Sequence, residues 1–148
     1  MKFYLCSPTA MAKDMESFRL AIESCGHAVM SRWHSGNIGN PRLELTDPQI
    51  FQRAVDDIRD IENSDVLIAF AASGGRGGRH YEMGYAYGAG LTVWMVGQME
   101  HAFHSLHYNS GTQFDSWTEC LKRIETLPPH QRIKKNPGYL HSSPKTQI

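Results

Sequence analysis

The sequence has few of the features that assign a function by themselves. Its three cysteines, Cys6, Cys25 and Cys120, are odd in number and widely separated, and no CxxC pair occurs. This pattern disfavours a structural zinc and suits a reducing compartment, where cysteines serve as small buried apolar residues. No apolar run reaches membrane-spanning length, and no charged-then-apolar leader opens the chain. We therefore expect a cytoplasmic protein with no membrane partner.

Excess charge and the common phosphate-binding motifs are also missing. Fifteen basic residues balance fifteen acidic ones, so no global field favours a nucleic acid polymer. There is no Walker lysine motif, and the glycines after "DVLIAF" are not spaced as G-x-G-x-x-G before a helix. No HExxH and no acidic cluster accompany His101, His104 and His107. A nucleoside triphosphate, a dinucleotide and a metal are all disfavoured, and we expect no cofactor.

What the sequence does contain indicates one globular domain. At 148 residues, 41% of them hydrophobic and 20% charged, the chain can bury one sizeable core but not two. After Leu127 it becomes polar and contains several prolines. We predict a domain over residues 1–127 and a loosely ordered tail over residues 128–148.

Strand-like runs alternate with helical patterns along that domain. The helix that starts in "TDPQIFQ" has a Thr-x-x-Gln capping box, and the last helix begins with a second box at Ser116 and Glu119. The order predicts a Rossmann-like or flavodoxin-like open parallel sheet of four to five strands with helices on both faces. Ligands bind such sheets beyond the carboxyl ends of the strands. The predicted strands are Lys2–Cys6, His27–Trp33, Val66–Ala71 and Thr92–Val96.

The second predicted helix has apolar residues at three- and four-residue steps, which predicts one buried face. The residues of that face are Phe51, Ala54, Val55, Ile58 and Ile61.

The stretch "SGGRGGRHYEMGYAYGAG", from Ser73 to Gly90, follows the third predicted strand. Its first glycines allow backbone N–H groups to approach a ligand, and a helix N-terminus there favours an anion. Glu82 lies in the first turn or so of that helix, where it either points into the ligand crevice or only complements the helix dipole. The small residues that follow let the helix approach the sheet closely, or leave room for a ligand.

Three segments together resemble the nucleoside 2-deoxyribosyltransferase family. They are "KFYLCSP", "DDIRDIENSDVLIAF" and "GGRHYEMGYAYGAGLTVWMVG", and the resemblance runs from Lys2 to about Ile124. The family includes hydrolases that cut the N-glycosidic bond of (deoxy)nucleoside 5′-monophosphates. The resemblance implies that this chain acts on a nucleoside or nucleotide, binds a free nucleobase as a second partner, and forms a homodimer or higher homo-oligomer.

The resemblance implies three catalytic residues. Glu82 matches the glutamate of the family's E-x-G-x-A motif, the nucleophile that attacks C1′ of the sugar. Tyr4 matches a tyrosine whose hydroxyl holds that carboxylate. Asp57 matches an acidic residue that helps to protonate the departing base, although Asp56 or Asp60 could equally be the inward residue of this acidic helix.

The family also suggests where the substrate binds. Six residues before the nucleophile, the transferases carry an aspartate that contacts sugar hydroxyls, and the hydrolases carry a serine that contacts phosphate. This chain has Arg76, which can grip a phosphate or lie in solvent. Trp33 either stacks on the base or belongs to the core, and Phe103 or His101 lines the base pocket. The expected substrate-binding residues are Ser7, Trp33, Ser73, Gly75, Arg76, Gly78 and Phe103.

The predicted function is cleavage of the N-glycosidic bond of 2′-deoxynucleosides or their 5′-monophosphates. A covalent glycosyl–Glu82 intermediate would pass the deoxyribosyl group to another base or to water. Two alternatives remain open at this point. One is a non-catalytic nucleotide-binding module. The other is a phosphoribohydrolase of the cytokinin-releasing type, whose "PGGxGTxxE" signature faintly resembles "GGRGGRHYE".

Overall fold

Five parallel strands form one sheet in the computed structural model of the chain. The structure describes residues 1–35, 46–72, 74, 77–98, 102–104 and 111–129. In space the strands lie in the order β2-β1-β3-β4-β5. Both β3 and β4 are buried at every position, which explains their uninterrupted apolar sequences. The strands are β1 (Lys2–Cys6), β2 (Ala28–Val29), β3 (Val66–Phe70), β4 (Thr92–Val96) and β5 (Gln113–Phe114).

Four helices cover both faces of this sheet. On one face, α1 (Ala12–Ser24) and α4 (Trp117–Glu125) pack against alternate strand residues such as Phe3. On the other face, α2 (Asp47–Glu62) and α3 (Gly78–Gly88) pack against the remaining set. The predicted open parallel sheet with helices on both faces is therefore confirmed. None of the helices within the described ranges is long and apolar enough to cross a bilayer.

The second strand is shorter than the sequence predicted. Only Ala28–Val29 is a strand, and Trp33 begins a short 3-10 helix. After a backbone bond from Met30 to Phe3, side chains replace the ladder: the Ser31 hydroxyl accepts the Leu5 N–H at 3.1 Å and the Trp33 indole donates to the Leu5 carbonyl at 2.8 Å. The short β5 lies in a segment for which the sequence predicted only a loop.

The apolar face predicted for α2 is buried only towards the end of the helix. Ile61 is buried and Val55 and Ile58 are half-buried, but Phe51 and Ala54 are exposed. The reason is length. Sixteen helical residues span about 24 Å, whereas the five residues of β3 span about 16 Å. Since α2 ends next to the start of β3, its first turns extend past the carboxyl edge of the sheet.

The small residues of α3 also differ from their predicted role. Ala86 is buried against the sheet, but Gly84 and Gly88 are exposed, and a Cβ at either would meet nothing within 4 Å. Close approach to the sheet therefore explains neither glycine. Both lie on the outer side of the helix because the buried positions, Arg79, Met83 and Ala86, form the opposite stripe.

The strand order reverses between β1 and β3, which are neighbours in the sheet. In open α/β sheets this switch point opens a crevice beyond the carboxyl ends of the strands, here next to Cys6 and Phe70. Most of the predicted tail, residues 130–148, lies outside the described residues. Near the start of the predicted tail, the Pro129 carbonyl accepts a hydrogen bond of 3.0 Å from the Met1 ammonium group. The domain boundary at residue 127 stays a prediction.

Candidate active site

Glu82 lies one turn into α3, at the carboxyl edge of the sheet. The helix begins at Gly78 and is preceded by Gly77, whose φ of 90° is in the left-handed region that glycine adopts without strain. The first turns of α3 contact the carboxyl end of β1, because the Cys6 thiol reaches both the Arg79 carbonyl and the Glu82 carboxylate. The half-buried Glu82 carboxylate therefore faces the switch point between β1 and β3.

Two side chains of β1 hold the Glu82 carboxylate, one at each oxygen. The Tyr4 hydroxyl donates to Oε1 at 3.0 Å, and the Cys6 thiol donates to Oε2 at 2.9 Å. Residues two apart in a strand project from the same face, which is why both reach one carboxylate. Both are fully buried. The carboxylate is thus fixed by a rigid central strand.

The protonation states suit this arrangement. Burial, followed by the charge of Glu82, raises the pKa of Tyr4 and of Cys6 above their ordinary values, so both are protonated donors at neutral pH. Burial also raises the pKa of Glu82, whereas the hydrogen bonds from Cys6 and Tyr4 lower it. The two donors therefore favour the ionised carboxylate against the cost of desolvation.

Asp57, on α2, supplies a second carboxyl group next to this one. Burial, and then the charges of Glu82, Asp60 and Asp56, raise the pKa of the half-buried Asp57 from 3.8 to about 7. The nearby Arg32 opposes the shift. Near neutral pH, Asp57 can therefore hold a proton while its neighbour is held by two donors. Carboxyl groups that differ in this way are suited to general acid and nucleophile roles.

The structure distinguishes among the three aspartates of the acidic helix. Asp60 is buried and paired with Arg32, whose Nε and Nη2 both donate to its carboxylate at 2.9 Å. Asp56 accepts a hydrogen bond from Gln52 at 2.9 Å. Asp57 is the member whose charge acts on Tyr4 and Cys6. It is half-buried and, among the described residues, neither salt-bridged nor hydrogen-bonded like its two neighbours, which makes it the candidate of the three for the crevice.

Two solved structures share this fold. The CMP N-glycosidase BcmB of Clostridium botulinum matches with a TM-score of 0.55 and 18% identity, over 84% of this chain and 99% of its own. A 2-deoxyribosyltransferase from the psychrotolerant bacterium Bacillus psychrosaccharolyticus matches with a TM-score of 0.64 and 15% identity, over 88% of this chain and 100% of its own. The chain has the fold of these two enzymes. No protein-family model and no curated protein matches the sequence.

Arg79 follows the glycine-rich stretch of the sequence, but its side chain points inwards. Its Nη1 donates to the carbonyls of Phe70 at 2.5 Å and Ala72 at 3.3 Å, and the side chain is buried. The guanidinium therefore ties the first turn of α3 to the end of β3. A structural role of this kind is not visible in the spacing of the loop.

Three of the predicted substrate-binding residues can be placed. Ser7 is half-buried just beyond β1, and its hydroxyl donates to the Pro8 carbonyl at 3.0 Å. Gly78 is exposed as the first residue of α3. Trp33 is half-buried and contacts the core clusters on both faces of the sheet, with its indole N–H bonded to β1. Trp33 therefore lies beside the carboxyl end of β1 with its polar edge already used.

The other predicted binding residues lie outside the described residues. These are Ser73, Gly75 and Arg76, together with the side chain of Phe103, whose backbone belongs to the 3-10 helix Ala102–His104. The same holds for His101 and His107. In that 3-10 helix His104 is buried and stacks on His80 of α3, with ring centroids 5.7 Å apart. Within the described residues, no group of three or more His, Cys, Asp or Glu side chains could hold a metal ion.

Cys6 is the contact that sequence reasoning missed. The sequence predicts only a small buried residue, yet the Cys6 thiol is at hydrogen-bond distance from the Glu82 carboxylate. A signal was available, because Cys6 lies two residues after Tyr4 in a predicted strand and so shares its face. The resemblance implies that Tyr4 contacts Glu82. The next side chain on the same face of that strand, Cys6, is therefore expected to lie near Glu82 as well.

Proposed function

We propose that the protein cleaves the N-glycosidic bond of 2′-deoxynucleosides or their 5′-monophosphates, with Glu82 as the nucleophile. The observation that carries this proposal is a carboxylate held on both oxygens at the switch point of the sheet, with Asp57 close by. A fixed carboxylate and a neighbouring proton donor are what displacement at an anomeric carbon requires. The names of the two enzymes that share the fold support the same chemistry.

In the first step, Glu82 attacks C1′ of the sugar. A bond forms between a carboxylate oxygen and C1′ while the bond from C1′ to the base nitrogen breaks, through a transition state with oxocarbenium character. The electron pair of the broken bond goes to the base. Protonated Asp57 gives its proton to a ring nitrogen or oxygen of that base, so the base leaves neutral. The products are a free base, a glycosyl ester on Glu82 and the Asp57 carboxylate.

In the second step, the glycosyl ester is resolved by an acceptor. Water or another nucleobase attacks C1′, the ester oxygen leaves with its electron pair, and Glu82 returns to its carboxylate form. Asp57 takes the proton that the acceptor loses, which restores the starting state. Tyr4 stays protonated throughout and keeps the carboxylate aligned with C1′. Transfer occurs when a base occupies the pocket, and hydrolysis occurs when water does.

The substrate contacts in this proposal come from the residues beyond the strand ends. Ser7, Ser73, Gly75, Arg76 and Gly78 would face the sugar or a 5′-phosphate. Trp33 and Phe103 would line the base pocket. No cofactor takes part in these steps. The protein would act as a homodimer or a higher homo-oligomer on small-molecule substrates.

The test is release of free base from deoxynucleosides and from their 5′-monophosphates, with and without a second base, followed by chromatography. Glu82→Gln should abolish release, because an amide cannot form the glycosyl ester. Mass spectrometry of the quenched wild-type protein should find one added deoxyribosyl group on Glu82. Glu62→Gln is the matched control, since Glu62 is an exposed carboxylate bonded to Tyr85 on α3.

Two outcomes would contradict the proposal. Wild-type turnover in the Glu82→Gln protein would remove Glu82 as the nucleophile. Heat release on adding a nucleotide, with no free base from any substrate, would identify a binding module instead.

A further inference from the structure

We propose that Cys6 is a positioning residue for Glu82, whose thiol fixes the plane of the carboxylate together with the Tyr4 hydroxyl. This inference rests on the proposed function and adds a residue to it. Cys6 is the last residue of β1 and pairs in register with Ala69 of β3. Cys6 is fully buried, and the neighbouring β3 is buried at every position, so the thiol position is fixed by the core of the fold.

The geometry requires a second donor. The terminal torsion of a glutamate side chain is broad, so a single hydrogen bond to Oε1 leaves the carboxylate free to rotate. The thiol of Cys6 engages Oε2 at 2.9 Å while Tyr4 holds Oε1 at 3.0 Å. With both oxygens held, the plane of the carboxylate is set before the sugar arrives. A nucleophile that is already aligned avoids part of the entropy loss on reaching the transition state.

The thiol can act in this way because it remains neutral. Burial, and then the charge of Glu82, raise the pKa of Cys6, while Arg79 on α3 lowers it. Asp57 on α2 adds a further negative charge that favours the thiol over the thiolate. The sulfur also lies 3.5 Å from the Arg79 carbonyl, but the shorter contact is to the carboxylate. A neutral donor stabilises the ionised form of Glu82, whereas a thiolate would repel it.

Two substitutions test this role. Cys6→Val keeps a side chain of similar size but has no donor. We expect kcat to fall about ten- to hundredfold with little change in KM, because the lost hydrogen bond is made to a charged group and does not touch the substrate. The acidic limb of the pH profile should move to higher pH, since the ionised carboxylate loses one stabilising donor. Cys6→Ser restores an O–H donor and should recover much of the rate and the original limb.

The matched control is Cys120→Ala, compared with Cys6→Ala. Cys120 is equally buried, but it packs on the opposite face of the sheet on α4. Both alanine variants remove a buried thiol and should lose comparable thermal stability. Only the change at Cys6 should alter the pH profile.

A measurement independent of turnover separates this inference from the proposed function. The Glu82 side-chain carbon, labelled with 13C and assigned by its absence in Glu82→Gln, is titrated by NMR in the wild type and in Cys6→Val. The Glu82 pKa should be higher in the variant. An unchanged titration, or equal losses of activity in Cys6→Ala and Cys120→Ala, would overturn the role of Cys6. If Glu82→Gln retains activity while the titration shifts, the contact stands and the proposed function fails.

Discussion

The Tyr4 hydroxyl and the Glu82 carboxylate meet at 3.0 Å although 78 positions separate them in the sequence. The contact exists because β1 and β3 are neighbours and α3 returns over the end of β1 directly after β3. It connects the central strand to the proposed nucleophile. Loss of this hydrogen bond should therefore change the position and ionisation of the Glu82 carboxylate while leaving the fold intact.

Tyr4→Phe should lower kcat about ten- to hundredfold and leave the global fold intact. The substitution deletes one hydrogen bond to a charged group and keeps the buried ring in place. Since the ionised form of Glu82 loses a donor, the acidic limb of the kcat profile should also move to higher pH. Steady-state kinetics across pH, with circular dichroism to verify folding, measure both effects.

Tyr85→Phe is the control for that comparison. It removes the solvent-exposed hydrogen bond of 2.5 Å that the phenol of the half-buried Tyr85 donates to the Glu62 carboxylate at the end of α2. Exposed polar contacts contribute little, so its activity should match that of the wild type. Equal losses in the two tyrosine variants would show that the Tyr4 contact has no special link to the reaction.

Asp57→Asn should lower kcat by about a hundred- to a thousandfold and flatten the alkaline limb of the pH profile. In the wild type, the rate should fall as pH rises through about 7, because the proton on Asp57 is then lost. An amide does not titrate, so the variant has no such limb. The rate measured from pH 5 to 9 checks this. An alkaline limb that persists unchanged in the variant would assign the proton to another group.

The same substitution should change the pH dependence of stability. The pKa of Asp57 in the folded state is raised from 3.8 to about 7. The contribution of Asp57 to the free energy of unfolding is therefore fully present below pH 3.8 and is lost as pH rises through about 7. An asparagine does not ionise, so the Asp57→Asn variant does not lose this stability as the pH rises. The variant should therefore gain on the order of 1–2 kcal/mol relative to the wild type between pH 5 and pH 8, after allowance for solvent screening.

Urea unfolding at the two pH values measures this difference. Asp14→Asn, a change at an exposed residue in the first turn of α1, is the surface control measured at the same two pH values. A gain at Asp57 that is the same at pH 5 and pH 8 would contradict a raised pKa.

Much of the fold could be predicted from local patterns. The apolar runs of β1, β3 and β4, the capping box of α2 and the Ser116 N-cap of α4 are signals contained within a few residues. The end of β2 could not be predicted, because it depends on Ser31 and Trp33 bonding to the backbone of β1. The exposure of Phe51 was equally hidden, since it depends on the length of α2 relative to the strand beneath it.

The site could be predicted only in part, and mainly through resemblance. The resemblance names Tyr4, Asp57 and Glu82. The structure joins Tyr4 to Glu82 by a hydrogen bond, and the charge of Glu82 acts on Asp57. Spacing alone left Asp56 and Asp60 as equal candidates, because the salt bridge that neutralises Asp60 involves Arg32, 28 positions away. Contacts of that range have no local signature in a single sequence.

Arg79 should be a determinant of stability, although it follows a glycine-rich loop that suggested anion binding. Arg79→Lys removes the guanidinium that donates to the Phe70 and Ala72 carbonyls and leaves buried acceptors unpaired. We expect a loss of about 2–3 kcal/mol in the free energy of unfolding, measured in urea. Arg123→Lys, an exposed change on α4, should lose less than about 0.5 kcal/mol. Equal effects of the two changes would remove the structural role of Arg79.

The exposed side of α2 and α3 predicts self-association. Phe51 is 70% exposed and Tyr81 71% exposed, and Gly84 and Gly88 lie open on the outer side of α3. Each glycine costs about 1 kcal/mol relative to alanine within a helix, and packing among the described residues gives no reason for either. We expect a second copy to cover this surface, with the glycines allowing close approach. Sedimentation velocity should then find a dimer or a larger assembly at working concentration.

Two substitutions decide whether this surface is responsible. Phe51→Glu should shift the protein to monomer, while Leu20→Glu, a change at a 55% exposed residue of α1, should not. Gly84→Ala gives a test of opposite sign. In an isolated subunit it should raise stability by about 0.5–1 kcal/mol, because the added methyl meets open space. In an assembly packed over Gly84, the same methyl should weaken association, so a more stable variant that still assembles would place the interface elsewhere.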